Sequence, residues 1–108
     1  MMNGIKEVDI QGLLAMQNEG KCLLLDVRTD GEVAQGMIRG AQHLPLHLIP
    51  LRADDLEKEI PVVIYCRTGA RSAQACAFLA GRGYQNVYNL QGGIMAWARL
   101  GLEIASAA

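Results

Sequence analysis

Two short stretches of this chain are apolar without alternation: Cys22-Leu23-Leu24-Leu25-Asp26-Val27, and Val62-Val63-Ile64-Tyr65, which ends at Cys66. A strand with one wet face alternates apolar and polar residues. A run that does not alternate reads as a strand covered on both faces, the situation inside a parallel sheet. Parallel neighbours need long crossover connections, usually a right-handed helical one. These two runs therefore predict helices between the strands and on both sides of the sheet.

The segments between the runs agree. Asp9 caps a short helix with Ile10, Leu13 and Leu14 at helical spacing and Gly20 beyond its end. Thr29-Asp30-Gly31-Glu32 reads as a turn into a second short helix that stops by Gly36, and Gly40 and Pro45 leave room for a short strand around Ala41 to Leu44. Leu48 to Lys58 is helical in parts, with Asp54, Asp55, Glu57 and Glu59 facing water. After Cys66, Arg67-Thr68-Gly69-Ala70 is a polar loop and Arg71 to about Ala80 a helix with a small-sided face at Ala73, Cys76, Ala77 and Ala80. Val87-Tyr88-Asn89-Leu90 is a further strand, and Gly92-Gly93 turns into a helix carrying Ile94, Trp97 and Ala98 on one face. The expected architecture is α/β, with a mainly parallel central sheet of about five strands flanked by helices on both faces.

At 108 residues the chain fits one domain, residues 1–108, large enough to bury roughly 60–70% of its unfolded surface. Ten basic residues face eleven acidic ones, so no surplus charge is available for phosphates and no nucleic-acid partner is expected. No apolar run approaches the ~20 residues of a membrane span. The opening Met1-Met2-Asn3-Gly4-Ile5-Lys6-Glu7 shows no signal-peptide core, so a cytoplasmic protein with no membrane partner is expected. Cys22, Cys66 and Cys76 are an odd set without framework spacing, which points to free thiols. A zinc site needs four ligands, and His43 and His47 are separated by Pro45, so no metal and no cofactor is expected.

The chemistry concentrates where the second apolar run meets a helix. Ligands of open α/β sheets bind at the carboxyl ends of strands. Cys66 ends the run, and its loop feeds a helix whose first N–H groups lack partners and carry partial positive charge. Arg67 and Arg71 add two permanent charges, and Gly69 lets successive N–H groups converge on one point. Together these favour a Cys66 thiolate at neutral pH.

The segment Cys66-Arg67-Thr68-Gly69-Ala70-Arg71-Ser72 resembles the active-site loop of the rhodanese family of sulfurtransferases. Asp26-Val27-Arg28 with Glu32, Gly36, Ile38, Gly40-Ala41 and Leu44-Pro45 is similar to that family's first signature, and Gly92-Gly93-Ile94 with Ala96-Trp97 to its last. The resemblance runs from about Val8 to Ile104. Two positions depart from the pattern: Met37 stands where members often have His, and Val33 where an aromatic residue is common.

The resemblance implies a double-displacement sulfur transfer. Cys66 would take the sulfane sulfur of a donor such as thiosulfate, hold it as a persulfide, and give it to cyanide, a thiol or a protein thiol. Cys66 and Arg71 would be catalytic. Arg67, Thr68, Gly69, Ala70 and Ser72 would bind substrate through charge, loop N–H groups and hydroxyls.

Plainer roles suit the other candidates. Cys22 and Cys76 read as core residues, Trp97 as a core anchor, and Asp26 as a carboxylate bonding loop backbone. His43 reads as a structural hydrogen-bonding residue, and Arg28 and Glu32, four apart, as a surface pair. Two other functions are open. One is a relay module exchanging persulfide sulfur with partner proteins, since inactive relatives typically lack the cysteine that this chain keeps. The other is a phosphatase or arsenate reductase of similar fold, whose wider loop places five residues between Cys and Arg. Here four separate Cys66 from Arg71, and position 72 is Ser.

Overall fold

The two apolar runs become neighbours at the centre of one sheet. β2 (Leu23–Asp26) and β5 (Val62–Tyr65) pair in parallel, Leu25 opposite Ile64 and Asp26 opposite Tyr65. In the computed structural model, which describes residues 5–106, β6 (Val87–Leu90) and β1 (Lys6–Val8) extend the sheet on one side and β4 (Gln42–His43) on the other. The order is β1-β6-β5-β2-β4 and every pairing is parallel. A small antiparallel pair joins β3 (Met37–Ile38) to β7 (Ile104–Ala105). Strand count and direction match the expected α/β architecture.

Lack of alternation in the runs has the expected cause. Leu25, Val27, Val62 and Ile64 pack on one face against Ile49 and Ala53, in and just after α3 (Ile49–Arg52), and Ala75, Cys76 and Leu79 of α4 (Ala70–Gly81). Leu24, Val63, Tyr65 and Leu90 pack on the other against Ile10 and Leu13 of α1 (Ile10–Asn18) and Trp97 of α5 (Gly93–Arg99). Val62 through Tyr65 are 0% exposed. Each such apolar side chain contributes roughly 1.5–3 kcal/mol by leaving water, enough to impose strand on a four-residue segment.

Local signals start the helices where expected. The Asp9 carboxylate accepts from the Gly12 N–H at 2.8 Å and opens α1. Thr29 and Glu32 form a reciprocal capping box that opens α2 (Asp30–Val33). One prediction needs correction. The buried face of α4 is Ser72, Ala75, Cys76 and Leu79, while Ala77 and Ala80 face solvent. The small side chains at 77 and 80 are cheap to place anywhere, so helix rotation follows Leu79, which must be buried, and Ser72, which has polar partners inside. Ala98 likewise faces out from α5. Among the described residues no helix is long and apolar enough to cross a membrane.

Candidate active site

β5 lies mid-sheet, so its carboxyl end opens into the crevice above the sheet rather than at an edge. Cys66 follows it directly, and α4 begins only four residues later. Gly69 sits at φ 128°, a conformation in which a Cβ is strained, and this reverses the chain. The reversal aims the Gly69 N–H back at the sulfur, with N to Sγ at 3.1 Å. From the first turn of α4 the Ser72 hydroxyl stands 3.4 Å from the same atom.

Cys66 is 1% exposed, and burial alone pushes a thiol up. Hydrogen bonds from the Ser72 hydroxyl and from the main-chain N–H groups of Ser72, Gly69 and Thr68 outweigh burial and hold Cys66 below the ordinary thiol value. The other two cysteines move the opposite way. Burial raises Cys22, and burial followed by the nearby Glu7 charge takes Cys76 up to about 12.

The loop's carbonyls are drawn off by a separate element. The N–H groups of Ile94 and Met95, in the first turn of α5, donate to the carbonyls of Cys66 and Arg67 at 3.0 and 3.1 Å. With carbonyls turned to α5, the loop's own N–H groups are left to face the sulfur. This close approach explains the second glycine of Gly92-Gly93. A Cβ on Gly93 would lie 2.5 Å from both carbonyl oxygens.

The charged residues are arranged differently from the sequence expectation. Arg28 and Glu32 do not form a surface pair. Four-residue spacing brings side chains together only within a helix, and α2 starts at Asp30, after Arg28. Arg28 is buried instead, its guanidinium gripping Asp26 at 2.7 and 3.0 Å and the Gly36 carbonyl at 2.7 Å. Asp26 also accepts from the Arg28 main-chain N–H at 2.9 Å, the loop bond anticipated for it. His43 holds the Arg28 carbonyl at 2.7 Å, a structural role as anticipated, and the Trp97 indole is buried with its N–H on the Glu103 carbonyl.

Glu32 turns to Arg71. The two guanidinium nitrogens of Arg71 meet the two carboxylate oxygens at 2.7 and 2.8 Å. The Arg71 hydrogen bond chiefly holds the Glu32 carboxyl down to about 2. Arg71 is thus half-buried and paired at the loop's edge, while Arg67, Thr68 and Ala70 are exposed and Gly69 half-buried. Beside the loop runs an open groove of ≈ 620 Å³, with Val27, Pro45 and Leu46 as apolar wall and Arg28, His47 and Arg71 along its margin. Among the described residues no group of three or more His, Cys, Asp or Glu is placed to hold a metal ion.

Asn89 in β6, 3% exposed, is a further residue of the site that no motif marks. Its side-chain oxygen lies 2.6 Å from the Ser72 hydroxyl and its NH₂ donates to the Gly69 carbonyl at 3.1 Å. An amide inside an otherwise apolar strand was the available signal, because a buried amide needs partners.

A five-stranded parallel sheet with a cysteine loop at the carboxyl end of its central strand defines a rhodanese-like α/β domain. The family model described as rhodanese-like domain matches residues 9–100, and the chain belongs to the rhodanese family. It is 52% identical to a sulfurtransferase of Allochromatium vinosum, an alignment covering 94% of this chain and 96% of that protein. It is 32% identical to the thiosulfate sulfurtransferase GlpE of Pseudomonas entomophila, over 89% of this chain and 87% of GlpE. Among solved structures, a rhodanese-like domain protein of Staphylococcus aureus is similar at a TM-score of 0.82 and 35% identity, covering 94% of this chain and 100% of its own.

Proposed function

We propose that this protein is a sulfurtransferase that carries sulfur as a persulfide on Cys66. The observation that carries the reading is the Cys66 sulfur itself, buried yet met by the Gly69 N–H and the Ser72 hydroxyl and held below the ordinary thiol value. A thiolate needs no base to attack, so the reading requires no histidine beside the sulfur. The names of the relatives support the same reaction class.

In the first step the Cys66 thiolate attacks the outer sulfur of thiosulfate or a similar donor. A Cys66–sulfur bond forms, the donor's sulfur–sulfur bond breaks, and its electron pair leaves with sulfite. The negative charge then resides on the outer persulfide sulfur, where the main-chain N–H groups gathered at the site, those of Thr68, Gly69 and Ser72, and the helix end stabilise it. In the second step a thiolate or cyanide attacks that outer sulfur, and the bonding pair returns to Cys66. Arg67, exposed and next to Cys66 in the chain, draws in an anionic donor, and Arg71 orients it while sharing its charge with Glu32. Intact mass spectrometry after thiosulfate treatment tests the reading: wild type gains one sulfur atom and Cys66→Ala gains none. Equal masses before and after treatment in wild type, with every sulfur donor tried, overturn it.

A second reading is a relay that takes its persulfide from a partner protein. The pairing of Arg71 with Glu32 favours it, because a neutralised cation attracts a small dianion weakly. Rapid thiosulfate:cyanide turnover supports the free enzyme, whereas loading only from a protein persulfide supports the relay.

A further inference from the structure

Four polar residues are buried among the described residues, and they form two pairs, Asp26 with Arg28 and Ser72 with Asn89. The first pair braces the end of β2. The second stands directly behind the thiol, and sulfur transfer as described above makes no use of Asn89.

The Ser72 oxygen lies 2.6 Å from the Asn89 side-chain oxygen and 3.4 Å from the Cys66 sulfur. A hydroxyl has a single proton, so it donates to one of the two at a time. Ser72 is 0% exposed, and the choice lies between these two acceptors. The amide orientation is set from its other side. Its NH₂ donates to the Gly69 carbonyl at 3.1 Å and stands 3.5 Å from a Glu7 carboxylate oxygen. A flipped amide would set its oxygen against both of those acceptors.

We propose that Asn89 is a positioning residue that competes with Cys66 for the Ser72 proton, so that the hydroxyl turns to the sulfur while that sulfur is an anion and back to Asn89 once the charge has moved to the outer sulfur of a persulfide. The inference rests on Cys66 being the sulfur carrier. No proton leaves Ser72 in this motion, and the resting thiolate keeps the Gly69 N–H at 3.1 Å whichever way the hydroxyl points. Asn89 thereby keeps the resting thiolate less stabilised, and so more nucleophilic, than its donors alone would make it, since thiolate reactivity falls as thiol acidity rises. The charged and titratable groups around the pair are Glu7 of β1, beyond Asn89, Arg71 in the first turn of α4, and the Cys76 thiol one turn on from Ser72, which burial keeps protonated.

The test is the pH profile of Cys66 alkylation by iodoacetamide, scored by site-resolved mass spectrometry so that Cys22 and Cys76 are counted apart. Asn89→Leu removes the competing acceptor, and the Gly69 carbonyl keeps its bond from the Ala73 N–H at 3.1 Å. The expected result is about three- to tenfold more thiolate at a pH below the wild-type midpoint, the size of one redirected hydrogen bond. Asn89→Val, smaller and equally suited to a strand, moves the midpoint the same way. Ser72→Ala raises the midpoint, and raises it more in the Asn89→Leu background than in wild type. A midpoint that rises or stays put in both Asn89 variants, or a Ser72→Ala effect that shrinks without Asn89, overturns the proposal and leaves Asn89 as a mere prop for Ser72. Alkylation uses no sulfur donor, so this result is independent of whether wild type gains sulfur from thiosulfate.

Discussion

Cys66 and Cys76 make an instructive pair. They lie ten positions apart, are 1% and 2% exposed, and pack in the same apolar cluster, yet their thiols shift in opposite directions. Burial acts on both and disfavours the thiolate in both. The difference is the state of the nearby backbone. Cys76 is inside α4, where main-chain N–H groups are spent on carbonyls one turn back. Cys66 precedes the helix, where the first N–H groups have no such partners and turn to the sulfur. Position relative to a helix end, more than depth in the core, separates a reactive thiol from an inert one.

The comparison is broken most severely by removing the sulfur. Cys66→Ala is expected to lower sulfur-transfer turnover by about 10³-fold or more, as for loss of a covalent nucleophile. Cys76→Ala should leave turnover within about threefold and cost about 1 kcal/mol in denaturant unfolding, the price of a small core cavity. Comparable losses of turnover in the two variants would mean that the thiols are not distinct.

Next comes the support from α5. Gly93→Ala puts a methyl group into the carbonyls of Cys66 and Arg67. The displaced loop should cost on the order of 10²-fold in turnover and raise the Cys66 thiol, read from kinetics and alkylation together. A variant with wild-type kinetics would detach the C-terminal signature from the site. A smaller effect belongs to Arg71→Ala, which should raise the KM for thiosulfate by about tenfold, one charged contact. Arg99→Ala, on an exposed position of α5, is the control and should leave KM unchanged; equal effects would contradict an oriented loop.

The smallest expected effect concerns the brace on Arg71. The Glu32 carboxyl is at about 2 in the folded protein against an ordinary 4.5, so its ion pair stabilises the fold fully above about pH 4.5. That contribution fades as the pH falls from there toward 2, because the unfolded chain takes up a proton at Glu32 that the folded form, holding the pair, refuses. Glu32 is partly exposed, so the contribution is about 1–2 kcal/mol after solvent screening. Glu32→Gln should destabilise the protein by that amount at neutral pH and flatten the loss between pH 4.5 and 2 in acid unfolding. An unchanged acid profile would show that Glu32 and Arg71 are not coupled.

Much of the fold was legible because local and global signals coincide. The runs at 22–27 and 62–65 are apolar on both faces because both faces are covered, and Asp9 and Thr29 cap helices through bonds formed within three residues. The cysteine loop was legible for the same reason: Cys66, Gly69 and Ser72 meet within seven positions of sequence. What escaped depends on distant partners. β1, β3 and β7 are two or three residues long and exist because another strand lies beside them, not through their own propensity. The Glu32–Arg71 pair spans 39 positions and the Ser72–Asn89 pair 17, and neither spacing has a periodic signature. Arg28 escapes the four-residue rule because α2 begins only at Asp30, two positions after it.

The most direct test of the account is the ionisation of two thiols in one molecule. Alkylation of the wild-type protein is followed from pH 5 to pH 10, with Cys66 and Cys76 resolved by mass spectrometry. Cys66 is expected to react with a midpoint below the ordinary thiol value while Cys76 stays unreactive across the range until the protein unfolds. A Cys66 midpoint at or above the ordinary value, or matching profiles for the two residues, would contradict it.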